Sequence, residues 1–400
     1  MSTVVPQCLK ALIKSAFFDT FDVLECLDRD KVPKNDDFSG QHDGPSARKR
    51  GAGRGGNFFV LDREVWAALW HARTKNRLNL VTAYLVLLAG TGADHRLTKW
   101  SAKACEDRAG MGKPRAKVAI DELIEAGFAR RTVASRPMFP QYELAAPSSS
   151  KEPIFLPIQL VTGLAGETPM LRRIRENGDV ELLRMLIDLY GLIQVDSPYG
   201  VPLENLRLYD TTANAARKVC EMGANALWAV RLGNTRSAGG DWAAPHIERK
   251  SSQSTDWTKF WSRLDLLERI GALWFEPWIF DGDGTDAEPL YPIEQNDGDD
   301  RSTAEVMKLN RLSMEAAFAF TADRSYLIDQ NADCNFVVVP AHHRAPTLRG
   351  VGKLRVEADT PGRRLAYAKR MGAIESYTAS LEEVIRDAGI GVYNRPVRLR

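Results

Sequence analysis

Residues 98–131, TKWSAKACEDRAGMGKPRAKVAIDELIEAGFARR, hold most of the side chains in this chain whose types and spacing could do chemistry. The stretch reads as a short helix, a turn around Gly110 to Gly112, and a second helix that opens with Lys113, Arg115 and Lys117 and closes with acids. At helical spacing Ala116, Ile120, Leu123, Ile124 and Gly127 share one face, so Arg115, Val118 and Glu122 point away from it, flanked by Lys117 and Asp121. A helix that enters the major groove by its N-terminal turns brings Arg and Lys to guanine O6 and N7 while its later turns leave the duplex. This order of charges opposes the helix macrodipole, so a merely solvated face would carry an avoidable cost in stability. Two packed helices used structurally, or to bind protein, are the alternative reading.

Further positive charge is expected nearby. The segment ARRTVASRPMFPQYELA predicts a β-hairpin bent around residues 135–140, on which Arg130, Arg131 and Arg136 suit flanking phosphates. Arg48, Lys49, Arg50 and Arg54 form a glycine-spaced basic arm upstream. Total charge does not add to this: 54 Lys and Arg against 52 Asp and Glu leave +2, so any nucleic-acid footprint must come from local segregation.

Catalytic chemistry is poorly represented. Asp281, Asp283, Asp286 and Glu288 in DGDGTDAE could hold a hard cation, but they lack calcium-loop spacing and fit a solvated acidic turn better. His342 and His343 have no Cys or carboxylate at ligand spacing, which suggests a loop contact. The sequence contains no phosphate-binding GxxxxGK[ST], nucleophile elbow or zincin motif. A non-catalytic protein with no metal and no cofactor is expected, and a metal-dependent nuclease is the enzymatic alternative. Cys8, Cys26, Cys105, Cys220 and Cys334 are dispersed and odd in number, which suits a reducing cytoplasm.

The elements that must position these groups follow from periodicity. A chain of 400 residues predicts two or three domains. Residues 6–27 form one amphipathic helix by spacing; Lys10, Lys14, Asp19 and Asp22 within it argue against a signal peptide or a membrane span. Residues 28–56 read as a flexible basic linker. A compact domain is expected over 57–146. Asp62 caps a helix bearing Val65, Trp66, Leu69 and Trp70, and LNLVTAYLVLLAG follows as a support helix with Leu78, Val81, Tyr84, Leu85 and Leu88 on one face and Gly90 as its stop. Residues 147–178 read as linker and connector.

A second unit is expected over 179–295. Setting Gly271 on Gly127 aligns Leu264 with Ile120, Asp265 with Asp121 and Leu267 with Leu123, a weak internal repeat. Trp257, Phe260, Trp261, Trp274 and Trp278 are expected close together, as core with a possible partner face. Residues 296–400 predict a helix near 302–320, strands at NFVVVP and GKLRVEA, and two final helices, with a basic tail.

The order helix, helix, turn, helix, hairpin over 57–144 resembles the winged helix-turn-helix, and the tandem arrangement resembles the replication initiators of plasmids and phages. The fold expected is mainly α with small β-hairpins (α+β): two winged-helix units, a tethered N-terminal helix and a C-terminal α+β extension. In that initiator family one unit commonly reads origin repeats while the other mediates dimerisation or a second DNA contact. The expectation is a replication initiator or transcriptional regulator of a mobile element. It would be cytoplasmic and nucleoid-associated, bind double-stranded DNA as a homodimer, and have no membrane association. The alternative is a winged-helix adaptor or scaffold subunit. The N-terminal helix would dock on a protein partner or fold back on its own chain.

Overall fold

The computed structural model describes residues 57–145, 153–193, 200–202, 205–209, 216–231, 235–249, 255–282, 287–293, 304–321, 326–331, 333–343 and 345–387. The helix expected over 6–27, the linker over 28–56 with Arg48, Lys49, Arg50 and Arg54, and the segment 146–152 lie outside them. Strand β1 (Phe58–Leu61) leads into α1 (Arg63–His71), capped by Asp62, whose Oδ1 accepts from Glu64 N at 2.8 Å and Val65 N at 3.0 Å. Helix α1 buries Trp66, Leu69 and Trp70, as its spacing predicts. Helix α2 (Arg77–Ala89) buries every residue from 80 to 89, where the spacing suggests a single apolar face. Nothing between Leu78 and Ala89 carries a charge, so no side of this helix prefers water. Gly90 ends it at φ −87°, and the glycine is needed for space. A Cβ there would overlap the Trp100 indole and sit 2.6 Å from Thr98 Oγ1.

Strand β2 (Leu97–Thr98), helices α3 (Ala102–Ala109) and α4 (Lys113–Glu125), and strands β3 (Ala129–Arg131) and β4 (Tyr142–Leu144) follow. The expected helix, turn and helix over 98–126 are present, with Gly110 left-handed at φ 64°. Strand β4 lies between β2 and β3 in an antiparallel sheet, with Thr98 opposite Tyr142 and Arg130 opposite Glu143.

The expected connector is a structural wall. Strand β5 (Ile154–Pro157) pairs antiparallel with β1, Phe58 opposite Pro157 and Leu61 opposite Ile154. Helices α5 (Gln159–Thr162) and α6 (Met170–Asn177) pack on α2. Helix α7 (Val180–Leu192) is capped by Asp179 and buries Leu182, Leu183, Leu186 and Tyr190. On α7, Asp188 accepts from the Trp66 indole N–H at 2.9 Å through Oδ1. Its Oδ2 lies 2.9 Å from Nε2 of buried His246, so one carboxylate ties α1, α7 and a 3-10 turn (Ala244–His246) together.

Beyond α7 come β6 (Leu206–Tyr209), β7 (Ala216–Met222), β8 (Asn225–Val230) and β9 (Thr235–Ala238), then the short pair β10 (Glu248–Arg249) and β11 (Thr255–Asp256). Helix α8 (Thr258–Arg269) precedes β12 (Leu273–Asp281) and β13 (Pro289–Pro292). The chain continues through α9 (Ala304–Phe320), α10 (Tyr326–Asp329), β14 (Asn335–Pro340), β15 (Pro346–Leu354) and α11 (Pro361–Asp387). Strands assemble as β13-β12-β15-β6-β9 and as β14-β8-β7, so the sheets are larger than the small hairpins expected and the chain is plainly α+β. Helices α9 and α11 pack together, and with β14 and β8 they enclose a second core around Val337, Val339, Leu309 and Ile374.

The internal repeat is visible in the backbone. Gly127 and Gly271 are both left-handed, at φ 80° and 71°. Phe128 N donates to Leu123 O at 2.9 Å and Ala272 N to Leu267 O at 2.8 Å, the same helix stop in both places. Each stop leads into a strand, β3 or β12, paired with a returning strand, β4 or β15, that also pairs with an earlier one, β2 or β6. The second unit's returning strand lies at 346–354, beyond the boundary expected near 295. The GKLRVEA strand accordingly begins earlier than its pattern suggests, and the two final helices are, over the described residues, one helix running through Gly372.

Two changes test this packing. Gly90→Ala is expected to destabilise the fold by about 1–3 kcal/mol through overpacking against Trp100. Gly372→Ala, exposed and with nothing within 4 Å of an added Cβ, should stabilise α11 by up to about 1 kcal/mol. Urea unfolding separates them, and effects of the same sign would refute the assignment. Asp188→Ala, which leaves the Trp66 and His246 nitrogens without their partner, should cost about 1–3 kcal/mol in the same measurement; an unchanged midpoint would show that the three-element tie is unimportant.

Candidate nucleic-acid interface

The turn between α3 and α4 is held from outside by α6. Arg175 Nε donates to Ala109 O and Nη2 to Gly110 O, each at 2.6 Å, which satisfies carbonyls left open at the end of α3. Helix α4 then begins at Gly112 with no side-chain cap, Pro114 in its first turn and no acid there. Open N–H groups and the basic side chains of Lys113 and Arg115 converge at this end, where an anion is favoured by both. Ala116, Ala119, Ile120 and Leu123 are buried, the first, third and fourth as their spacing predicts, and Ile124 is partly buried. Arg115, Lys117 and Val118 are exposed on the opposite side.

The expected basic residues divide into open and engaged groups. Arg115, Lys117 and Arg136 form no salt bridge with a described residue, and Lys113 Nζ lies 4.0 Å from Glu106. Arg131 Nη2 is 2.8 Å from Asp121 of α4, which fastens β3 to the outward side of that helix. Arg130 Nε donates to Glu143 Oε2 at 2.7 Å, and Arg96 holds the other oxygen of that carboxylate at 2.5 Å. Both hairpin arginines remain largely exposed, so these pairs are worth about 0–1 kcal/mol and a phosphate can compete for them. Glu122, expected to point outward, accepts instead from Thr74 Oγ1 at 2.6 Å and Lys75 N at 3.3 Å, and so ties α4 to the loop between α1 and α2.

Sequence reasoning missed the arginines of α6. Burial lowers the pKa of Arg175 from its ordinary value; Glu176 opposes that shift, and the positive charges of Arg115 and Arg172 add to it. Arg115, Arg172 and Arg175 therefore share one positive neighbourhood, although Arg172 also pairs with Glu176 at 2.8 Å. The signal that was available, three arginines in MLRRIREN, lies inside a segment that reads as connector.

The counterpart helix α8 is arranged differently. Lys259 pairs with Glu248, Arg263 Nε with Asp179 at 2.8 Å, and Arg236 of β9 with Asp265 and Glu268. Its aromatics Trp257, Phe260 and Trp261 do cluster, joined by Trp242, but Trp278 belongs to a separate group with Phe280 and Val351. None of these tryptophans is fully exposed. His343 Nδ1 lies 2.9 Å from Asp281 Oδ2, a contact between residues far apart in the chain. Asp283 and Asp286 lie outside the described residues, among which no three potential metal ligands gather and no helix is long and apolar enough to cross a membrane.

Comparison of the chain with protein-family models, with curated proteins and with solved structures found no match.

Proposed function

We propose that this chain is a non-catalytic duplex DNA-binding protein built from two winged-helix units, of which the first reads DNA. The observation that carries this reading is the outer face of α4: Arg115 and Lys117 stand exposed in its first turns, with no salt bridge to a described residue, over an N-terminus that has no side-chain cap and no acid in its first turn. With α4 in the major groove, Arg115 meets a guanine edge, Lys117 meets backbone phosphate, and the β3–β4 hairpin lies over the adjoining backbone. The topology helix, strand, helix, helix, strand, strand supports the winged-helix label for residues 77–144. The repeated helix stop and the strand order β12-β15-β6 support a second, elaborated unit. There Lys259, Arg263, Asp265 and Glu268 of the helix are paired within the chain, which favours a holding role over base reading. The tandem arrangement, and its resemblance to plasmid and phage initiators, makes origin binding or regulation in a mobile element the reading to test first.

Selection from a randomised duplex library, followed by anisotropy titrations at several salt concentrations, provides that test. Arg115→Ala is expected to weaken the best site by about 1–3 kcal/mol and to relax base preference at one position. Lys117→Ala should weaken all sequences alike and reduce the slope of log affinity against log salt by about 0.9, the loss of one phosphate contact. Unchanged binding by both variants, with wild-type melting temperature, would remove α4 from the interface.

A further inference from the structure

The tip of the β3–β4 hairpin carries a feature that base reading by α4 does not use. Past Thr132, whose N–H donates to Gln141 O at 3.1 Å, the chain closes again in a two-residue turn. Arg136 N donates to Phe139 O at 3.2 Å and Phe139 N to Arg136 O at 3.0 Å, with Pro137 and Met138 between them. Gln141 N donates to Ser135 Oγ at 3.1 Å, which braces the turn from its side. On this ordered tip Met138 is 84 % and Phe139 73 % exposed, and Val133 in the same loop is fully exposed. Pro137 fixes φ at the first central position of the turn, and Pro140 holds Phe139 extended, so the apolar pair is set before any partner arrives. Residues 129–142 include Arg130, Arg131 and Arg136 and no acid.

The geometry points to a wedge: Phe139 and Met138 enter the minor groove beside the α4 site and unstack a single base step, with Arg136 reaching the groove floor between the phosphate rows. This inference rests on the proposed DNA reading by α4. A duplex is favoured as occupant because every charged side chain between residues 129 and 142 is positive, and because Arg131 fastens β3 to the outward side of α4 through Asp121. A helix in the major groove then puts the hairpin over the neighbouring minor groove. Stiff apolar side chains with an adjacent Arg suit the flexible pyrimidine–purine steps, whose unstacking kinks the duplex toward the major groove by about 20–90°. Binding would leave the step next to the recognised sequence incompletely stacked, a consequence that α4 alone does not produce.

The test uses the full chain and its selected duplex, with 2-aminopurine placed at successive flanking positions and a donor–acceptor pair on the duplex ends. Wild type is expected to raise 2-aminopurine fluorescence at one or two adjacent positions and to shorten the end-to-end distance. Met138→Ser with Phe139→Ser should abolish both signals while keeping base preference and melting temperature, with affinity falling by less than about tenfold because the lost contacts are offset by the unstacking no longer required. Phe139→Leu, which keeps an apolar wedge, should retain most of the bend. Wild type that binds its site with no fluorescence change overturns the wedge and leaves the α4 reading intact, whereas wild type that binds no duplex overturns both. A double variant that bends DNA normally but loses self-association in sedimentation assigns the tip to a protein contact and also overturns the wedge.

Discussion

The structure depends on enclosing α2. This helix has no charged residue from Leu78 to Ala89 and is buried on all sides from residue 80 onward. Each fully buried Leu or Val contributes about 1.5–3 kcal/mol, and a single face of contacts would leave half of that unused. Helices α3, α4, α5 and α6 and strand β1 all pack on it. Segments before and after the helix pair are thus drawn into one core, which continues through α7 to Phe260, Leu264 and Leu354. The same enclosure orients the candidate interface: burial of Ala116, Ile120 and Leu123 leaves Arg115, Lys117 and Val118 facing outward.

Charge is then divided between holding and contacting. Asp188 joins α1 to α7 and the 3-10 turn, Arg175 closes the end of α3, and Asp121 and Glu143 anchor the hairpin. Among the described residues, the cations at the start of α4 and Arg136 at the hairpin tip stay open for contact. On α8 the early cations are engaged instead: Glu248 takes Lys259, Asp179 takes Arg263, and Arg236 takes Asp265 and Glu268. Two helices with matching stops and matching strand order thereby acquire different surfaces, and the proposed division between a reading and a supporting helix rests on that surface chemistry and not on the fold.

The features legible in the sequence were those fixed by local interactions. Asp62 caps the helix that follows it, Gly110 and Gly127 adopt the left-handed turn their positions suggest, and the spacing of Ala116, Ile120 and Leu123 identifies the inner face of α4. Three features were hidden for physical reasons. The all-round burial of α2 shows in its lack of charge and not in its periodicity, so counting one apolar face under-reads it. The packing of α5 and α6 depends on that burial, and their short helices resemble a connector when taken alone. The pairing of β12 with β15 joins residues more than sixty positions apart, and nothing in either strand names the other. For the same reason the engagement of Arg130 by Glu143 and of Glu122 by Thr74 could not be read from helical or strand spacing.

Comparison of the two units shows where this architecture admits change. In the first, the strand after the helix stop returns through the short loop holding Pro137 and Met138; in the second, β13, α9, α10 and β14 occur between β12 and its returning strand. Lengthening a loop at a hairpin tip adds closure entropy only logarithmically, and it leaves the register of the paired strands untouched. Trp274 stays opposite Lys353 and Phe275 opposite Gly352 despite the insertion. The inserted elements bury Leu309, Val337 and Val339 in a second core that they share with β8 and α11, and β13 covers the outer edge of β12. An edge that is covered cannot pair with another chain, and a tip replaced by a packed subdomain cannot enter a groove. The first unit keeps its tip short, stiff and apolar, so of the two it alone retains the shape and surface of a contacting hairpin.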